Sequence, residues 1–524
     1  MAWLSKGDIV FTAFFVIALG ALSYVLFVNN ESSVLLGDIT SGPTISRNET
    51  LSIVYAEPLT TYEPTAVDVV LRQYLSNCYE GLVRFDRDFN LEPALALSWG
   101  MLDDTTWQFK LRPNVVFHDG SAFDADDVLA SFERAQSHPD SKLTTLLSGM
   151  ESVKKIDSLT VSITTADPDP LLVSELTMLF MVPSELPDEV EKPLGTGPYV
   201  FVETAGLNNW SFDRFADYWG EAPTFSSLLL SYIPDKFERY NVFSGNEVDV
   251  LAETPPVFVD ALLQTGYPVA SLSALEVDML GFGMKEDNAP FQSQDLRKAV
   301  VFALSPEELL TFTSGYALSP TQFVSRGVLG YNPDVEMTSY DIKAAQALVG
   351  QSVTPIAVTL DLPEGMSALG TYIQTQLDSI GFQVTVTYWS ADDYAAHIAK
   401  GESDLYFFGW KSELGDATDF FTHLVHSQTA DGRYGAMNYG GYVDPGIDTL
   451  IERLEKDLLE SRRQQEMAEL MKLLVEKEVF AVPLFEPKTL VVSQKDVLYE
   501  PRLDNLLLAS DFHGLCFSVL SKQN

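Results

Sequence analysis

Residues 117–134 read FHDGSAFDADDVLASFER and bring His118, Asp119, Asp124, Asp126, Asp127 and Glu133 close together. An imidazole among carboxylates is the material of a metal site or an acid–base pair. The local pattern gives these residues a different use. HDG follows an apolar strand pattern and supplies a turn, with Gly120 free to take positive φ. Asp124 stands where a helix N-cap belongs, with Asp127 three residues on as its capping-box partner. Asp126 and Asp127 suit the positive end of the helix dipole, and Val128, Leu129 and Phe132 give the helix a buried side. The stretch predicts scaffold.

The second candidate is HLVH, with His423 and His426 one helical turn apart. A lone pair of this kind is a weak metal signal. His118, His138, His397 and His513 are scattered, and G-x-S-x-G, H-E-x-x-H, phosphate-loop and paired C-x-x-C motifs are all missing. No catalytic residue, metal or cofactor is expected, and a membrane-tethered hydrolase is the weakest reading.

The chain of 524 residues has room for two or three domains. With 74 acidic residues against 33 basic ones its net charge is −41. Such a chain repels nucleic acid and anionic headgroups, so neither is an expected partner. The acidity either steers cationic solutes to a cleft or is a solvated surface.

Ile9 to Val28, IVFTAFFVIALGALSYVLFV, carries no charge and matches the roughly 20 residues that cross a bilayer. ALG at 18–20 offers a cleavage site, but the apolar run continues past it, which favours an uncleaved anchor over a removed leader. The expected order is a cytoplasmic end at 1–8, a transmembrane helix at 9–28 and a linker at 29–49, rich in Ser, Thr, Asn and Gly. Cys78 and Cys516 are the only cysteines and are expected as separate buried thiols rather than a pair.

Beyond the linker, strands and helices alternate. TWQFKL at 106–111 has the period of a half-buried strand. PIAVTLDL, MSALGTYIQTQLDSI, GFQVTVTYW, ADDYAAHIAK and DLYFFGW form a βαβαβ run over 355–410, which implies an α/β layer with parallel strands. Ile447, Leu450, Ile451, Leu454 and Leu458 predict an apolar helical stripe within 447–478.

YEGLVRFDRDFNLEPALALSW at 79–99 and TWQFKLRPNVVFHDGSAFDADDVLASFERA at 106–135 resemble the signature region of the family 5 extracellular solute-binding proteins. These are the oligopeptide- and dipeptide-binding receptors of ABC importers. GTGPYVF at 195–201, FADYWG at 215–220, GNEVDVL at 245–251 and PFQSQDLRKAVVFAL at 290–304 follow in the family's order. So do FFGWKSELGDATDFF at 407–421, MNYGGYVDPGIDTLI at 437–451 and VPLF at 482–485, so that the resemblance runs over roughly residues 50 to 510.

The resemblance implies an α/β, two-lobed periplasmic-binding-protein-like fold of type II with three subdomains, behind the single transmembrane helix. Lobe 1 would comprise 50–79, 194–276 and 485–524, with an inserted subdomain at 80–193. Lobe 2 would be 277–484. Ligand would lie between lobes that close by a hinge. The implied role is a receptor on the outer side of the cell membrane that passes a peptide or other small solute to an ABC permease. Sugars, metal complexes and a sensor or chaperone use of the fold stay open as alternatives.

In peptide-binding members the ligand's amino end is held by an acid three residues after the tryptophan of a GW motif. That position is Glu413, after Gly409 and Trp410. Those members carry Asp there, so this chain departs by one methylene. A buried ammonium needs a charged acceptor, since an unpaired buried charge costs several kcal/mol. Trp410 is expected as a cleft wall, Lys411 beside it, and Asp416 as the substitute carboxylate.

Overall fold

Four apolar residues in TLSIVY, with Ser52 among them, leave no solvent face on the strand Thr50–Tyr55, which is buried at every position but the first. It is accordingly flanked on both sides, in parallel, by Ser227–Tyr232 and Val250–Leu251. The structure is a computed structural model that describes residues 49–204, 208–285, 289–336, 339–350 and 354–514. The expected membrane helix at 9–28, the linker up to residue 48 and Cys516 lie outside the described residues. Among the described residues no helix is long and apolar enough to cross a membrane.

The longest strand, Ala481–Ser493, joins two halves of one sheet. Its first residues pair with Glu276–Phe282, and its last with Val269–Ser273 and Val250–Leu251. Each half has its own core. Leu51, Tyr74, Phe109, Leu228 and Phe512 belong to the first, while Val277, Phe323, Ile373, Phe420 and Leu484 belong to the second. Between the cores the chain crosses twice, side by side. Ala274 N–H donates to Pro487 O at 3.1 Å, and Ser273 Oγ donates to Glu486 Oε1 at 2.5 Å.

The first half carries a separate four-stranded sheet, in the order Ala96–Met101, Thr106–Leu111, Thr160–Thr165, Met150–Asp157. The helix Ala125–Ser137 lies on it through Val128 and Phe132, both buried. Its capping box is formed as expected: Asp126 N–H donates to Asp124 and Asp124 N–H donates to Asp127 at 2.8 Å. Gly120 turns at φ 85°. His118 is enclosed, with Nε2 2.9 Å from Gly197 O and Nδ1 3.7 Å from the buried Cys78 thiol. Burial pushes the thiol up and the imidazole down, which keeps both uncharged.

The βαβαβ run has its expected order in the second half. Ile356–Pro363 and Phe382–Trp389 pair in parallel over eight positions, with Ser367–Ile380 between them in sequence. The stripe within 447–478 is broken. The helix Pro445–Leu454 stops, Glu460–Lys472 starts anew, and Leu458 lies between them. Asp457 forces the break: its carboxylate accepts Leu459 N–H at 3.0 Å and pairs with Arg462.

Candidate functional site

Leu405–Lys411 runs antiparallel to Glu276–Phe282 along its whole length. On its other edge Ile356–Pro363 pairs only at Leu405 and Tyr406, and the Tyr394 hydroxyl occupies Phe407 N–H and C=O. Among the described residues no strand takes up that edge over 408–411. An extended ligand backbone can add there as a further strand.

Acidic side chains gather at the same place. Glu276 and Asp278 are two apart on one strand and so share a face, opposite Lys411 and Gly409. A Cβ at position 409 would stand 2.5 Å from Glu276 Oε1 and 2.8 Å from Asp278 Oδ1, so these carboxylates lie directly over the glycine. Burial, and then the Glu276 charge, push the Asp278 carboxyl up to about 8. Glu276 is raised by burial too; Lys411 works against that shift and Glu413 adds to it. From the first half Glu253 comes within reach of Lys411, and burial and Glu57 raise its carboxyl. Glu253 holds a left-handed φ of 46°, a strained geometry for a residue with a side chain.

Glu413 is half-buried, and its carboxylate has neither a hydrogen bond nor an ion pair among the described residues. Its loop is gripped by both halves. Leu414 is buried in the first core, while Phe89 of the first half packs against the second and lies over Gly415. Gly409, Lys411 and Glu413 thus come together with Glu276. Trp410 faces the other way, stacked on His423 at 5.9 Å and edge-on to Phe420. Asp416 is engaged elsewhere: it caps the helix Ala417–Phe420 through Thr418 N–H and pairs with Arg463 at 2.7 Å.

The histidines of HLVH diverge. His423 sits in the π-helical turn Phe421–Val425 and bonds Asp419 at 3.0 Å, and that bond raises its pKa. His426 stacks on Tyr434 and lies near Asp448 and Glu452. Among the described residues no three side chains form a metal-ligating group. A cavity of about 740 Å³ lies within the first half, away from residues 409–416. Its charges pair among themselves, as in Arg87 with Glu500 and Asp511, and Arg502 with Asp504.

Glu276, Asp278 and Glu253 went unread in the sequence. The signal was present in LEVDMLGF, where acids two apart put charge on one face of an otherwise apolar strand.

The sequence profile of the bacterial extracellular solute-binding proteins, family 5, matches residues 90–432. The dipeptide-binding protein of Escherichia coli (strain K12) is 26% identical over 438 residues, covering 75% of this chain and 79% of the relative. A glutathione-binding protein of Pectobacterium atrosepticum is 27% identical over 421 residues, covering 76% and 81%. Among solved structures, the periplasmic binding protein DppA of Helicobacter pylori in complex with the peptide STSA superposes with a TM-score of 0.72. The two are 22% identical, with 89% of this chain and 98% of that one covered. The shared two-lobed α/β architecture and the long profile match lead to one conclusion: the chain belongs to the bacterial extracellular solute-binding proteins, family 5.

Proposed function

We propose that the protein captures peptides between its two lobes and hands them to an ABC permease. As a member of this family it is a solute receptor and not an enzyme. The carrying observation is the open strand edge at 408–411 beside the acidic group of Glu276, Asp278 and Glu413. A peptide's backbone would pair with that edge, and its α-ammonium would take the free Glu413 carboxylate, with Glu276 and Asp278 behind it. Gly409 keeps the strand surface clear, Trp410 anchors the strand from its other face against His423 and Phe420, and Asp416 holds the loop in shape.

Lobe 2 is taken as 277–484, and lobe 1 as 50–79, 194–276 and the chain from 485 on, with 80–193 inserted. Residues 9–28 would anchor the receptor to the cell membrane with its body outside. Native mass spectrometry of the protein as purified, followed by calorimetry with trialanine, tests the reading. One intact peptide bound per chain is the expected result; co-purification of a sugar together with no response to any peptide would overturn it.

A further inference from the structure

At the loop that carries Glu413 each half lends a side chain to the other's core. Leu414 is buried in the first core, while Phe89 of the first half packs on the second. Phe89 makes this contact from an unusual backbone. Its φ of 67° lies in the left-handed region, which glycine or asparagine enters easily and phenylalanine does not. Such a conformation persists only where the surroundings over-determine it.

The turn 86–90 is held in that way. The Asp86 carboxylate accepts the N–H groups of Asp88 at 2.9 Å and Asn90 at 2.8 Å, and Asp86 N–H donates to Asn90 O at 2.8 Å. Residues near the end of the chain tie it down further. Arg87 pairs with Glu500 and, at 2.9 Å, with Asp511, and Leu503 N–H donates to Arg87 O at 3.0 Å. The Phe89 ring stacks on Phe85 with centroids 4.1 Å apart.

The ring's other neighbour is Gly415. A Cβ there would stand 2.9 Å from Phe89 Cε1, so the ring lies directly on the glycine backbone. Gly415 is itself left-handed, at φ 72°, and its C=O accepts Leu329 N–H at 2.9 Å. The Glu413 carboxylate has no partner of its own among the described residues, so the backbone of this loop decides where it can reach. From the second half that backbone is held by Ser412 N–H, which donates to Leu275 O at 2.9 Å, and by Asp416 paired with Arg463 at 2.7 Å. From the first half it is held by the pocket around Leu414 and by the Phe89 ring.

A glycine at position 89 would make the same turn without strain, so the turn alone does not call for the ring. What the ring adds is its contact with Gly415, two residues from Glu413. We propose that Phe89 is a positioning residue for ligand binding: its ring sets the backbone of the Glu413 loop, and through it the place of the carboxylate beside the open strand edge. The proposal rests on the peptide reading above and adds a residue that acts only through Glu413. A charge-assisted hydrogen bond weakens steeply with distance and angle, so a small shift of the loop harms the amine contact more than it harms the fold.

Phe89→Gly and Phe89→Asn both suit the left-handed backbone and both delete the ring. Calorimetry on the wild type and each variant gives the ratio of affinities for trialanine and N-acetyl-trialanine, which reads the amine contact and cancels losses common to the two ligands. The ratio should fall by about 10-fold or more in the variants, roughly 1.4 kcal/mol. The melting temperature should change little, because relief of the backbone offsets the lost ring contact. A purely structural ring would lower the melting temperature and leave the ratio unchanged, and that result in whichever variant folds overturns the proposal. Failure of both variants to fold would make the ring part of the core instead, and overturn it too. Hydrogen exchange of the ligand-free proteins keeps the two readings apart. If the wild type binds no peptide, or binds both trialanines equally, the peptide reading falls. Loss of protection confined to the 412–415 amides in the variants would then leave Phe89 as the clamp of this loop, whereas unchanged protection there would remove the clamp as well.

Discussion

Arg463 places its guanidinium 2.7 Å from the Asp416 carboxylate, and only 3% and 6% of the two side chains reach solvent. Asp416 also caps the helix that follows it, and Arg463 reaches Thr418 Oγ1 at 3.0 Å. Such a pair fixes the loop that carries Glu413 and does not itself await a ligand. Removing one partner strands the other's charge in the interior, at a cost of about 3–5 kcal/mol. Asp416→Ala should lower the denaturation midpoint accordingly, and in a double-mutant cycle with Arg463→Met the losses should not add. Ligand affinity, measured on folded protein, should stay close to wild type. A variant as stable as wild type that had lost its ligand would return Asp416 to the binding set.

The capping box offers a contrasting, milder prediction. Asp124 accepts Asp126 N–H at 2.7 Å at a largely exposed helix start. Asp124→Ala should cost about 0.5–2 kcal/mol in denaturant unfolding and leave ligand affinity unchanged. Loss of binding at unchanged stability would mean that this acidic stretch does more than hold a helix.

These two aspartates show what the sequence made readable. A cap and its partner are three residues apart, so local chemistry declares them, as the parallel strand run over 355–410 declares itself by its period. The Arg463 partner of Asp416 is 47 residues away, and no local pattern announces it. Lys456 meets Asp167 at 2.9 Å across a long stretch of sequence, a contact that only the tertiary fold creates. Glu413 was legible through the resemblance alone, whereas Glu276 and Asp278 left a local signal that was missed. The broken stripe near Leu458 failed for another reason, since Asp457 competes with the helix for a backbone N–H.

Gly409 tests whether the carboxylates above it form the seat of the ligand. An added Cβ would meet only the far ends of the Glu276 and Asp278 side chains. These can swing aside, so Gly409→Ala should fold with little loss of thermal stability. The swing moves both carboxylates into the space beside the open strand edge. Affinity should fall by about 10-fold or more, roughly 1.4 kcal/mol. Wild-type affinity in this variant, read by calorimetry, would place the ligand elsewhere in the cleft.

The pH dependence of the ligand-free protein follows from Asp278. Its carboxyl titrates at about 8 in the fold, against about 3.9 in an unfolded chain. Between those values the folded state holds a proton that the unfolded state has lost, so stability falls as pH rises. The stabilisation is complete below about pH 4 and gone above about pH 8. Glu276 and Glu253, also raised, act in the same direction. The melting temperature should therefore drop from pH 5 to pH 8.5, and Asp278→Asn should flatten much of that slope while raising stability at the alkaline end. An equal slope in the variant would remove Asp278 from the account.

Glu413 carries the most direct test of the peptide reading. Its carboxylate has no partner among the described residues, it lies close enough to Glu276 to raise that group, and the strand edge beside it is unpaired. An α-ammonium bound there would lose its acceptor in Glu413→Gln, which keeps the shape and removes the charge. Truncating one side of a buried charged pair costs about 2–5 kcal/mol, because the other side stays desolvated. Affinity should drop from roughly 30-fold to several thousand-fold. Acetylating the peptide amine should weaken binding to the wild type by a similar factor and affect the variant much less, since both changes delete the same contact. Glu276 and Asp278 would keep some attraction for the ammonium in the variant, so the residual effect of acetylation measures their share. Calorimetry on the four combinations decides the matter: if free and acetylated peptides bind the wild type equally well, Glu413 does not hold an amine.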